Sequence, residues 1–198
     1  MATASPATNR VITVPNVITV IRLCCIPIFL WLLFGVENRY AAAFLHGGLG
    51  ATDWVDGYVA RRFGQVSELG KVLDPTADRL LFIVCVGGII IDGSAPLVFS
   101  ILVVVRELLV GGTLATLTLF GMKRFDVSWW GKAGTFGLMV AFPCFLIGSA
   151  GDGPVNDLFW VSGWLSGIPA LLLSYYAAVT YIPMMRHSLA EGRRARVA

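Results

Sequence analysis

The chain alternates long apolar runs with short polar segments. Each run has about the 20 residues that an α-helix needs to cross roughly 30 Å of hydrocarbon. Helices are the expected spanning element because lipid cannot satisfy the hydrogen bonds of a bare backbone. The pattern predicts six spans, over residues 17–36, 40–61, 76–92, 96–121, 129–150 and 158–183. Asn16, after Pro15, is predicted to cap the first span, and Asp74, before Pro75, the third.

Composition supports the same fold class. Of the 198 residues, 57% are hydrophobic and 14% are charged, whereas a soluble domain has roughly 25% charged residues. We therefore expect an all-α integral membrane protein with six transmembrane helices, built as one domain over residues 1–198. The net charge of +3 indicates no nucleic-acid partner. The four cysteines lie in apolar runs, as small buried hydrophobic residues do.

The distribution of Lys and Arg predicts the orientation. Six spans place both termini on one side, and the side richer in Lys and Arg is cytosolic. The termini and the 61–79 and 122–132 connections hold most of these residues, whereas Arg39 is the single one in the opposite loops. We expect a multi-pass protein of the cell membrane with a cytosolic lead-in, 1–15, and a basic cytosolic tail, 184–198.

Four aspartates stand next to apolar runs on this cytosolic side. Asp53 and Asp56 are three residues apart, and Asp74 and Asp78 are four apart, so each pair shares a helix face. A short connection between the pairs lets the two faces meet. Four close carboxylates do not all stay ionised without cations. Oxygen ligands favour Mg²⁺ or Mn²⁺, and four carboxylates suit two ions, an arrangement that recurs in phosphoryl chemistry.

The residues around the aspartates suit a phosphorylated ligand. Gly57 and Ala60 leave a helix surface open, and Arg61, eight residues after Asp53, can bind a phosphate with two hydrogen bonds. Gly70 allows a tight turn or the close approach of a ligand.

The spacing Asp53-x2-Asp56-Gly57-x2-Ala60-Arg61-x8-Gly70-x3-Asp74-x3-Asp78 resembles the signature of the CDP-alcohol phosphotransferase family at every fixed position. The resemblance implies a six-helix membrane enzyme, usually a homodimer, with a polar cavity open to the cytosol. Such enzymes transfer a phosphatidyl group from a CDP-linked lipid to an alcohol and release CMP.

The resemblance also implies roles for individual residues. Asp53, Asp56, Asp74 and Asp78 would bind two Mg²⁺ or Mn²⁺ ions, and Asp78 would also be the catalytic base for the acceptor hydroxyl. The group Gly57, Ala60, Arg61 and Gly70 would hold the CDP part of CDP-diacylglycerol. The segment PNVITVIRL, from Pro15 to Leu23, resembles the start of the glycerol-phosphate branch of the family, which places Asn16 and Thr19 near CDP-diacylglycerol. Arg22, on the same face, either joins them or extends toward the headgroups.

Two further features bear on the acceptor alcohol. Arg106 and Glu107 lie within the fourth span, where an ionisable residue is a candidate for function; structural neutralisation is the alternative. Adjacent helical residues point about 100° apart, so these two need not pair. We expect Arg106 and Lys132 to contact the acceptor.

The start of the fifth span favours phosphatidylglycerol as that acceptor. Phosphatidylglycerophosphate synthases have Gly-Lys-x-Lys-Thr there, and this chain has Gly134 in place of the second lysine. The segment GKAGTFGLMVAFP is similar to that of CMP-forming cardiolipin synthases. Cardiolipin synthesis is the favoured function, and phosphatidylglycerophosphate synthesis is the alternative. Outside enzymes, the alternatives are a cation transporter and a lipid-binding scaffold. A transporter is expected to place its aspartates near the membrane midplane, in broken helices or repeats, and neither is evident here. A scaffold has no need of the complete metal set.

Overall fold

A computed structural model describes the backbone of residues 14–63, 70–119 and 128–197 and the side chains of residues 17–52, 77, 79–113, 116 and 128–185. Every regular element in these ranges is helical. The six helices are α1 (Val14–Leu30), α2 (Arg39–Phe63), α3 (Gly70–Asp92), α4 (Leu97–Leu119), α5 (Trp129–Gly148) and α6 (Pro154–Val197). A π-helical segment, Trp31–Gly35, continues α1.

The six helices confirm the all-α prediction and match the six predicted segments. Three segments within the described residues are long and apolar enough to cross a membrane: Val17–Gly35, Trp129–Gly148 and Pro154–Met185. Two predicted caps are wrong. Helix α1 begins at Val14 and α3 begins at Gly70, so Asn16 and Asp74 lie inside their helices and not at the ends.

Helix α1 lies between two neighbours. It packs against both α2 and α3, while α2 also packs against α5. The buried Phe29 marks the face of α1 that meets them: its ring centroid is 5.8 Å from that of His46 in α2, and its Cε1 is 3.4 Å from where a Cβ would stand on Gly88 in α3. Helix α4 packs against α3 and α6.

The closest packing joins α5 to α6. A Cβ added to Gly137 would lie 2.6 Å from the Cβ of Ala170, and one added to Gly148 would lie 2.8 Å from the backbone of Trp160. Small residues let two helix backbones approach in this way, and such contacts are typical of helix pairs in membranes. The sequence therefore needs glycine at these positions for the two helices to meet.

Polar contacts join the helices at the end where α2 begins and α3 ends. Arg39 Nε donates to Asp92 Oδ2 over 2.8 Å, and Arg39 Nη1 donates to the Ser149 carbonyl over 2.7 Å. Nearby, Asn156 Nδ2 donates to the Tyr40 hydroxyl over 2.7 Å and to the Ile147 carbonyl over 2.6 Å. These bonds hold α2, α3, α5 and α6 together at this end, so the aspartate-rich ends of α2 and α3 lie at the other.

Candidate active site

The backbone places the two aspartate pairs on two helices that approach the same end of the bundle. Asp53 and Asp56 lie in the last three turns of α2, and Asp74 and Asp78 lie in the first three turns of α3. Phe63 and Gly70 bound the connection, and seven residue steps of about 3.5 Å limit their separation to roughly 25 Å. Both helices also pack against α1. The chain and a common neighbour therefore limit the distance between the two helix ends that carry the pairs.

The residues of the predicted metal and CDP-diacylglycerol sites have side chains outside the part of the chain that the structure describes, with the exception of Thr19. This applies to the four aspartates and to Asn16, Gly57, Ala60, Arg61 and Gly70. Gly70 is the first residue of α3, whereas the sequence predicted that it lies in the connection before that helix. Among the described residues no group of three metal-binding side chains occurs.

Described residues fix the start of α3 beside α4. Ala77 is buried. Arg79, next to Asp78, donates from Nη1 to the carbonyl oxygen of Gly111 over 3.2 Å. A Cβ on Gly111 would lie 2.9 Å from the same Nη1, so glycine is what allows the guanidinium to approach. Arg79 was not among the site residues predicted from the sequence. The feature that could have indicated it is a positive charge directly after the last aspartate of the motif.

Helix α1 contributes a polar patch to the same end of the bundle. Thr19 is 3% exposed and Arg22 is 5% exposed, one turn apart. Both lie on the same face of α1 as Phe29, and this face packs against α2 and α3. Arg22 therefore points into the bundle, and the alternative that it extends toward lipid headgroups does not hold. Thr19 is buried on the same face, and its contact with CDP-diacylglycerol stays a prediction.

Arg106 is a buried cation in the middle of α4. Its Nη1 is 2.7 Å from Oε2 of Glu107, and the two side chains are 7% and 19% exposed. The two therefore pair, although neighbouring positions on a helix do not require it. Arg106 Nε has no hydrogen-bond partner among the described residues. The guanidinium keeps a donor for another acceptor, because Glu107 uses only one of its nitrogens.

Lys132 and Gly134 face different surroundings in the first turns of α5. Ser128 caps the helix: its Oγ accepts from the Gly131 amide over 3.3 Å. Lys132 is exposed. Gly134 is buried, and a Cβ there would lie 3.0 Å from the Ala170 carbonyl oxygen and from the Ser174 backbone.

The interpretation of Gly134 as a missing cation is therefore corrected. The position faces α6, and no lysine side chain fits there without moving one of the two helices. Glycine at position 134 serves helix packing, so the lack of a lysine there is not by itself evidence about the charge of the acceptor. Lys132 and Arg106 remain the candidate acceptor cations, on separate helices.

His46 is a buried polar residue that the sequence analysis did not consider. It is 1% exposed, and neither ring nitrogen has a hydrogen-bond partner among the described residues. It lies seven residues before Asp53 in α2, so the two share a helix face. An ionisable residue within an apolar helix was the signal that could have drawn attention to it.

Comparison with known proteins gives a consistent result. The family model described as CDP-alcohol phosphatidyltransferase matches residues 12–181. A CMP-forming cardiolipin synthase of Streptomyces coelicolor is 36% identical over 184 residues, covering 90% of this chain and 85% of that protein. A putative cardiolipin synthase of Mycobacterium tuberculosis is 36% identical over 178 residues, covering 89% and 84%.

A probable phosphatidylglycerophosphate synthase of Mycobacterium tuberculosis is 30% identical over 178 residues, covering 87% of this chain and 81% of that protein. The family model spans most of the six helices and the positions of all four aspartates. The chain therefore belongs to the CDP-alcohol phosphatidyltransferase family and is a phosphatidyltransferase.

Proposed function

We propose that this protein transfers the phosphatidyl group of CDP-diacylglycerol to phosphatidylglycerol, which forms cardiolipin and releases CMP. The observation that carries the proposal is the position of two aspartates in the last turns of α2 and two in the first turns of α3. The stronger similarity to cardiolipin synthases than to a phosphatidylglycerophosphate synthase supports phosphatidylglycerol as the acceptor.

The donor set fits two divalent metal ions. Asp53, Asp56, Asp74 and Asp78 offer carboxylate oxygens alone, which suit Mg²⁺ or Mn²⁺ and not the softer metals. When bound, two such ions supply positive charge for the diphosphate of the donor and for the charge that develops on the departing CMP.

Asp78 is the proposed base. An alcohol is a weak nucleophile at neutral pH, so a base near its proton speeds attack. Asp78 takes the proton from the free primary hydroxyl of phosphatidylglycerol. The hydroxyl oxygen then forms a bond to the phosphatidyl phosphorus, and the bond from that phosphorus to the bridging oxygen breaks. CMP leaves with the electron pair.

The other candidate residues hold the two substrates. Arg61 binds the diphosphate of CDP-diacylglycerol. Gly57 and Ala60 leave space for that diphosphate, and Gly70 adjoins the nucleotide. Thr19, with Asn16 one turn earlier, contacts CDP-diacylglycerol from α1. At the acceptor, the proposed cations are Arg106 and Lys132.

A membrane location accounts for the surface of the molecule. Large apolar side chains are exposed on most helices; Ile91 is 78% exposed, Leu165 76% and Val98 72%. Trp129 and Trp130 are exposed at the end of the bundle that carries the aspartates, and Trp31 is exposed at the other. Aromatic residues collect at both membrane–water interfaces in this way.

We accordingly propose six transmembrane helices in the cell membrane. The surplus of Lys and Arg puts both termini and a polar cavity with the aspartates on the cytosolic side. The chain is proposed to act as one domain and as a homodimer, in keeping with its family. Cross-linking in membranes and glycosylation mapping of the loops would test the assembly and the orientation separately.

Purified protein in mixed micelles tests the reaction itself. With CDP-diacylglycerol, phosphatidylglycerol and Mg²⁺ or Mn²⁺, CMP and cardiolipin should form in equal amounts. Removal of the divalent ions by a chelator should stop both products, and their return should restore them. Cardiolipin formation without release of CMP would contradict the proposal.

A further inference from the structure

A cavity of about 230 Å³ lies between α4 and α6. Its α4 wall includes Arg106, Leu109 and Val110, and its α6 wall includes Val179 and Ile182. Arg106 is the one charged residue among the described residues that line the cavity, and the rest of this described lining is mainly apolar.

The cavity opens toward the outer surface of the bundle. Leu109 is 61% exposed, Val179 is 64% exposed and Ile182 is 49% exposed. In a membrane, exposed apolar side chains such as these suit contact with lipid, whose tails are as apolar as leucine. The inner wall is different: Arg106 is 6% exposed, and its Nε has no hydrogen-bond partner among the described residues. The cavity thus runs from the lipid side to a buried cation.

The same part of α4 adjoins the start of α3. Gly111, one residue beyond Val110 of the cavity wall, accepts the hydrogen bond from Arg79. Arg79 follows Asp78 directly in the sequence. The segment of α3 that carries the proposed catalytic base therefore adjoins the part of α4 that forms the cavity wall.

We propose that this cavity holds one acyl chain of the phospholipid acceptor, which enters from the bilayer between α4 and α6 with its phosphodiester near Arg106. The inference rests on the proposed transfer to phosphatidylglycerol and names how that lipid is selected. The lining matches the occupant: an apolar channel for the chain and a cation for the single negative charge of the diester. Pockets that enclose a whole drug-sized ligand have about 300–1,000 Å³, so this cavity suits a single chain segment and not an entire lipid.

The cavity contributes shape more than binding energy. Lipid tails are as apolar as leucine, so an acyl chain gains little from moving out of the bilayer into an apolar cavity. What the cavity supplies is a fixed path that directs the headgroup toward the reacting atoms. Glycerol 3-phosphate has no acyl chain and makes no use of that path. An obstruction should therefore impair a long-chain acceptor by misplacing it and leave a short-chain acceptor unaffected.

Val179→Trp fills the cavity from α6, and Leu172→Trp is its matched control. Both residues are exposed apolar residues of α6, two turns apart on one face, and Leu172 does not line the cavity. With dioleoyl phosphatidylglycerol, Val179→Trp should lower the rate of cardiolipin formation by about tenfold to a hundredfold, the range expected when a substrate is displaced by about 1 Å. With dihexanoyl phosphatidylglycerol, the rate should stay within about twofold of the unmodified protein. Leu172→Trp should change neither rate.

Three results are distinguishable. Equal loss with long-chain and short-chain acceptors, in a protein that still elutes as the unmodified one does, overturns the inference. A loss that follows the chain length of CDP-diacylglycerol assigns the cavity to the donor and also overturns it. If the unmodified protein makes no cardiolipin from either acceptor, the proposed function itself fails, whatever the variants do.

Discussion

At the scale of single residues, the proposed reaction depends first on Asp78. If Asp78 is a base as well as a metal ligand, Asp78→Asn should lower the rate of CMP release by about 10²–10⁴-fold, the usual contribution of general base catalysis. The affinity for CDP-diacylglycerol should change much less, and excess Mn²⁺ should not restore the rate. Asp152→Asn is the control, because Asp152 is exposed in the connection before α6, at the opposite end of the bundle.

Asp74→Asn completes that comparison. It should also abolish turnover, because one ligand and one negative charge are lost together. Recovery of Asp78→Asn in excess metal would assign Asp78 as a ligand alone. Near-normal activity of Asp74→Asn in saturating Mg²⁺ would contradict the metal site.

Arg106 is the residue for which two roles compete. It either binds the acceptor phosphate or only neutralises Glu107. Charge-assisted hydrogen bonds contribute roughly 1.5–3 kcal/mol, so Arg106→Gln should raise the KM for phosphatidylglycerol by about tenfold to a hundredfold and leave the KM for CDP-diacylglycerol unchanged.

The double variant Arg106→Gln/Glu107→Gln separates the two roles. It removes both charges, so no uncompensated carboxylate stays buried. If Arg106 binds the acceptor, the double variant should fold as well as the unmodified protein and remain defective with phosphatidylglycerol. Recovery of the normal KM in the double variant would show that neutralisation of Glu107 was the only role.

At the scale of helices, the α5–α6 contact is the most sensitive to added volume. Gly137→Ala puts a Cβ 2.6 Å from that of Ala170, and overpacking of this kind costs about 1–3 kcal/mol. We expect a lower midpoint of thermal unfolding in detergent. Gly48→Ala is the control: no atom lies within 4 Å of the added Cβ in α2, so stability should be unchanged or slightly higher. Equal effects of the two changes would contradict the described packing.

The helices show what hydropathy can and cannot predict. The predicted spans 40–61 and 129–150 fall within two residues of α2 and α5. Helix α3 begins six residues before its predicted span, and α6 continues through the basic tail to Val197. Hydropathy locates the stretch that lipid can surround, whereas a helix continues through polar residues when its backbone bonds are satisfied in water. The predicted caps failed for this reason.

The site was predictable where chemistry is local, and not where it depends on packing. The spacing of the aspartates indicates two helix faces from the sequence alone, and the backbone agrees. Gly134 faces α6 because it packs against Ala170 and Ser174, which lie 36 and 40 residues further along the chain. A comparison of local motifs does not contain that contact, so it read Gly134 as a lost charge. The cavity beside Arg106 likewise depends on packing, because its second wall is formed by residues of α6 that lie more than 60 residues further along the chain.

At the scale of the whole molecule, the two ends of the bundle differ in chemistry. At one end, hydrogen bonds from Arg39 and Asn156 join neighbouring helices. The other carries the aspartates, the buried Thr19 and Arg22, and most of the Lys and Arg of the connections. This arrangement suits an enzyme whose nucleotide arrives from the cytosol and whose lipid chains stay in the bilayer. The same arrangement explains why four aspartates lie next to apolar segments.

A competition assay between the two candidate acceptors tests the proposed choice of phosphatidylglycerol. Purified protein receives CDP-diacylglycerol, Mg²⁺ or Mn²⁺, and both phosphatidylglycerol and glycerol 3-phosphate, and the lipid products are separated and quantified. We predict that cardiolipin forms faster than phosphatidylglycerophosphate and that Asp74→Asn makes neither. Rapid formation of phosphatidylglycerophosphate without any cardiolipin would contradict the account, although the chain would still be a phosphatidyltransferase.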